Sequence, residues 1–81
     1  MAGMTILDRF LARLDEEGAR DGLPPGAVEA ARLALARARD THDPEERAAA
    51  LAPLARQISD TWPHASALGR DVLGYVQGLR R

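Results

Sequence analysis

The sequence has no cysteine, no lysine and only three aromatic residues, Phe10, Trp62 and Tyr75. Without Cys there is no disulfide framework, no thiolate metal site and no thiol nucleophile. Without Lys there is no Schiff-base chemistry. Charge of neither sign dominates: 12 acids face 11 bases, all Arg, for a formal net charge of −1. That balance argues against a strongly basic nucleic-acid binder and against a polyacidic mimic. No apolar run reaches the roughly 18 residues of a membrane span. No basic segment leading into an apolar core marks a signal peptide. The expectation is a cytoplasmic chain with no membrane partner.

What is present points to helices. A chain of 81 residues, 46% hydrophobic and 28% charged, reads as one small globular domain over residues 1–81 rather than a disordered segment. Ala, Leu, Arg, Gly and Pro dominate, a usage that points to GC-rich bacterial coding. Met1-Ala2-Gly3 reads as a disordered or added start ahead of Met4 and is set aside from the fold argument. A domain of this size holds a thin core, and self-association or a partner is the usual remedy.

The first helix is predicted from about Ile6 to Glu17, with Ala19-Arg20-Asp21 as a frayed last turn. Thr5 is its N-cap, with Asp8 in capping-box position. Ile6, Leu7, Phe10, Leu11 and Leu14 recur at helical spacing on one face. Gly18 and the stretch Gly22-Leu23-Pro24-Pro25-Gly26 end the helix and turn the chain. A second helix is predicted over Pro25–Asp40, with Pro in the first turn. Val28, Ala31, Leu35 and Ala38 make its small inner stripe, and Leu33 falls well off it. Asp43-Pro44-Glu45-Glu46 is the clearest helix start in the chain, with a capping Asp, Pro at the first position and acids matched to the dipole. That third helix runs to about Ser59, with Leu51, Leu54, Ala55, Ile58 and, just beyond it, Trp62 sharing one face, and has Pro53 inside it, which predicts a kink. Asp60-Thr61-Trp62-Pro63 reads as a break. A fourth helix is predicted over Pro63–Leu79, capped by Thr61 or Asp60. Ala65, Leu68, Val72, Tyr75, Val76 and Leu79 form its stripe. Ala67, Asp71, Gly74 and Gly78 line the other side.

Candidate chemistry is sparse. His42 and His64 match no metal-ligand spacing, and each reads as an ordinary surface or cap residue. The acids Asp15, Glu16 and Glu17, and Asp43, Glu45 and Glu46, sit at helix ends rather than in any evident pocket. Ser59 and Ser66 lack the Gly-x-Ser-x-Gly elbow of an activated nucleophile. The sequence therefore predicts no enzyme, no cofactor, no metal and no small-molecule substrate. Arg32, Arg37 and Arg39 share the second helix, and Arg80 and Arg81 end the chain. They allow phosphate contacts, but the balanced net charge favours a solvated face making ion pairs with carboxylates. Trp62, before Pro63 at a helix junction, either closes the core or anchors a partner.

The sequence predicts an all-α fold, a small antiparallel bundle of four short helices, or three if the first docks loosely. The predicted function is protein–protein contact, as an adaptor, a regulatory subunit or a self-associating scaffold piece. The motivation is the small-residue face on the last helix, where each interior Gly weakens the helix by about 1 kcal/mol against Ala unless something packs closely there. The predicted contact residues are Leu33, Trp62, Ala67, Asp71, Gly74 and Gly78, meeting a partner protein or a second copy. The alternative is a nucleic-acid-associated regulator that uses the Arg32, Arg37 and Arg39 face.

Overall fold

A computed structural model describes residues 5–80. They form four helices, α1 (Ile6–Arg20), α2 (Pro25–Arg39), α3 (Pro44–Thr61) and α4 (Ala67–Leu79), with no strand among the described residues. The reading of Met1-Ala2-Gly3 lies outside them.

Local chemistry sets each boundary. Thr5 and Asp8 form a reciprocal capping box at the start of α1, with the Asp8 N–H donating to Thr5 Oγ1 and the Thr5 N–H donating to Asp8 Oδ2, both at 3.1 Å. Gly18 does not stop α1, contrary to the sequence expectation. The helix runs on to Arg20, and the turn is made by Gly22, whose φ of 77° lies in the left-handed region open to glycine. The Leu23 N–H donates to Gly18 O and the Gly22 N–H to Ala19 O, the paired bonds of a Schellman ending. Buried Leu23 completes that motif by packing back on the last turns. Gly18 has another use: a Cβ there would lie 3.2 Å from Val28 Cγ2, so its absence lets α1 and α2 approach closely. Asp43 caps α3 as predicted, accepting from the Glu45 N–H at 3.1 Å with Pro44 at the first position. α3 continues through exposed Pro53 as one element.

The α3–α4 junction corrects the sequence reading. α4 starts at Ala67 rather than Pro63, and neither Asp60 nor Thr61 caps it. The physical reason is Pro63, which disfavours helical backbone at the preceding residue. Trp62 is accordingly extended (φ −77°, ψ 148°) and closes α3, while the Thr61 hydroxyl donates back to Gln57 O at 2.8 Å. A turn over Pro63–Ser66 follows, and Ser66, almost fully buried, caps α4 by accepting from the Gly69 N–H at 3.0 Å. Ala65, assigned to the inner stripe from sequence, therefore lies in the turn and is exposed.

One core joins all four helices: Leu7, Phe10 and Leu14 from α1, Ala31, Leu35 and Ala38 from α2, Leu51, Leu54 and Ile58 from α3, and Leu68, Val72 and Val76 from α4, with Leu23 and Trp62 from the junctions. α1 is thus firmly docked, and the bundle has four members. Cross-helix pairs show the antiparallel order. Asp15 meets Arg32 while Asp8 meets Arg39 between α1 and α2, and Arg13 meets Asp71 while Phe10 meets Tyr75 between α1 and α4. α2 packs on α1 and α3, and α4 packs on α3 and α1, so α2 and α4 are diagonal.

Candidate functional site

The antiparallel run of α1 past α4 leaves a cleft between them of about 560 Å³. Its walls are Ile6, Arg9, Phe10 and Arg13 on α1 and Arg70, Asp71, Gly74 and Tyr75 on α4. The floor is apolar: Phe10 and Tyr75 meet edge to face, with ring centroids 5.9 Å apart and planes at 77°. Ile6 is 47% exposed on the lip, although the sequence assigned it to the inner stripe. At Gly74 a Cβ would meet nothing within 4 Å among the described residues, so the missing side chain leaves a hollow in the α4 wall.

One end of the cleft is closed by ion pairs. Arg13 donates from Nε to Glu17 at 2.6 Å, one turn along α1, and from Nη1 to Asp71 at 2.7 Å across the gap. The bonds from Arg13 hold the Glu17 carboxyl below its usual range, and Glu17 and then Asp71 raise the Arg13 guanidinium in turn. Arg9 and Arg70, both exposed, make no ion pair among the described residues. The cleft is therefore an apolar slot with uncommitted cationic groups on both rims.

The six residues nominated from sequence do not form one surface. Asp71 and Gly74 share the cleft. Asp71 accepts from Arg13 and keeps its side chain 55% exposed. Gly78, one turn beyond Gly74, is exposed and would also offer a Cβ nothing within 4 Å. Ala67 is exposed in the first turn of α4, away from the cleft lining. Leu33, 62% exposed, stands on α2, diagonal to α4. Trp62 is only 5% exposed. Its extended backbone before Pro63 turns the indole into the core against α4, so the core alternative holds and its surface-anchor reading is corrected. A Cβ on Gly69 would lie 3.2 Å from Trp62 Cε3 and 3.2 Å from Ile58 Cγ2, so the glycine that admits this packing is Gly69.

Several contributors were invisible in the sequence. No sequence signal singles out Arg9, Arg13 or Arg70, and only the juxtaposition of α1 with α4 gathers them. Arg47 is the larger omission. It donates to Ala38 O at 3.2 Å, Thr41 O at 2.7 Å and Tyr75 Oη at 3.2 Å, so it satisfies carbonyls at the end of α2 and steadies the tyrosine on the cleft floor. A single Arg after an N-cap carries no signal that it will do this.

The other candidates gather little chemistry. Arg32 donates to Asp15 at 2.7 Å and Arg39 to Asp8 at 3.4 Å, so two of the three arginines on α2 serve the α1–α2 contact. The Asp8 carboxyl is held below its usual range first by the Thr5 N–H and hydroxyl and then by Arg39, and the Arg32 guanidinium is raised by Asp15. No cluster of three or more metal-binding side chains occurs among the described residues, and no helix among them is long and apolar enough to cross a membrane. An open groove of about 780 Å³ between α3 and α4, walled by Ala52, Ala55, Leu73 and Val76, carries Arg56, Asp60 and Arg80 at its rim. Comparison with protein families, curated proteins and solved structures gave no significant match.

Proposed function

We propose that this protein is a small non-catalytic interaction module whose working surface is the α1–α4 cleft with the Gly74–Gly78 face of α4, closed by a helix from a partner. The observation that carries this reading is the open space at Gly74. An interior helical glycine costs about 1 kcal/mol relative to Ala, and nothing among the described residues approaches to use the room it leaves. At Gly18 and Gly69 the same residue type admits a neighbour at 3.2 Å. A helix laid along the cleft would fill the hollow, cover Ile6 and the Phe10–Tyr75 edge, and meet Arg9 and Arg70. Burial of such a face is the usual source of helix-in-groove affinity. Adaptor, regulatory subunit and scaffold piece are all roles of this kind. The cytoplasm suits a cysteine-free chain, whose composition asks for no oxidising compartment. The nucleic-acid reading has less support, because Arg32 and Arg39 are committed to α1 and the net charge is −1.

The test is Gly74→Leu, which fills the hollow. The purified variant keeps its helical circular dichroism and unfolds no earlier than the parent. In paired affinity captures from extract, and in sedimentation of the purified chains, it loses the associations the parent makes. A variant with the same sedimentation behaviour and captured set as the parent removes the cleft as the working surface.

A further inference from the structure

We draw no further inference here: the strongest candidate, the cavity of about 240 Å³ between the end of α3 and the first turns of α4, lined by Trp62, His64, Ser66 and Arg70, carries nothing, because Trp62 Nε1, unpartnered among the described residues, is closed off from any ligand by its burial, Ser66 is engaged in capping α4, and exposed His64 and Arg70 alone do not say what would bind.

Discussion

Gly18, Gly69 and Gly74 lie within helices in different surroundings, and their alanine variants should separate cleanly. At Gly74 the added methyl meets nothing within 4 Å. Gly74→Ala should therefore gain about 1 kcal/mol from helix propensity, which in a domain of this size raises Tm by about 4–8 °C. At Gly69 the methyl would sit 3.2 Å from Ile58 Cγ2, 3.2 Å from Trp62 Cε3 and 3.4 Å from Ser66 Oγ. All three neighbours are buried, and neither a β-branched side chain nor an indole held in a core yields easily. Overpacking of this kind costs about 1–3 kcal/mol. The propensity gain is reduced in the first turn of α4, so Gly69→Ala should lose about 1–2 kcal/mol net. Gly18→Ala falls between them, with one tight contact to half-buried Val28. The assay is thermal and urea unfolding by circular dichroism at low protein concentration, where assembly does not contribute. If Gly69→Ala stabilises as much as Gly74→Ala, the close packing of Trp62 and Ile58 on α4 is wrong, and with it the placement of the glycine ridge outside the fold.

Other expectations follow from the same contacts. Asp8 and Glu17 are held below their ordinary range in the folded chain, so unfolding takes up protons once the pH nears their unfolded values. Their contribution is full at neutral pH and is lost as the pH falls below about 4.5, through the folded values. Urea midpoints at pH 7 and pH 3 should show the drop, and an Asp8→Asn, Glu17→Gln chain should show a shallower one; an equal slope in both removes these carboxylates as the cause. Arg47→Ala strands carbonyls at the end of α2 and frees Tyr75, and should cost about 2 kcal/mol. Arg47→Lys should recover only part of that, because an ammonium cannot reproduce the guanidinium fork; full recovery argues against the three-way bond. Trp62 emission should be blue-shifted and poorly quenched by iodide, and should shift red only on unfolding. Emission like free tryptophan in the folded protein contradicts its burial.

Much of the fold was legible in the sequence because short-range chemistry decides it. The Thr5–Asp8 capping box, the Asp43-Pro44 start, Pro25 in a first turn and the apolar spacing on each helix all act within a few residues, and they produced an all-α bundle with nearly correct limits for α2 and α3. Local reasoning failed where two local signals competed. At Asp60–Ser66 the sequence pointed to Thr61 or Asp60 as the cap, and the restriction Pro63 places on Trp62 moved the start of α4 on to Ser66. At Gly18 the helix-breaking tendency of glycine lost to the Schellman ending at Gly22 and to the fit against Val28. Small residues, hydrophobic spacing and charges can all be read along a chain, but which of them face each other cannot. The sequence marked Gly69 and Gly74 only as glycines; tertiary packing made one a seat for Trp62 and left the other open. Likewise Arg9, Arg13 and Arg70 became a charged rim, and Arg47 a clamp, only when antiparallel packing brought α1 and α4 together and set α3 against the end of α2.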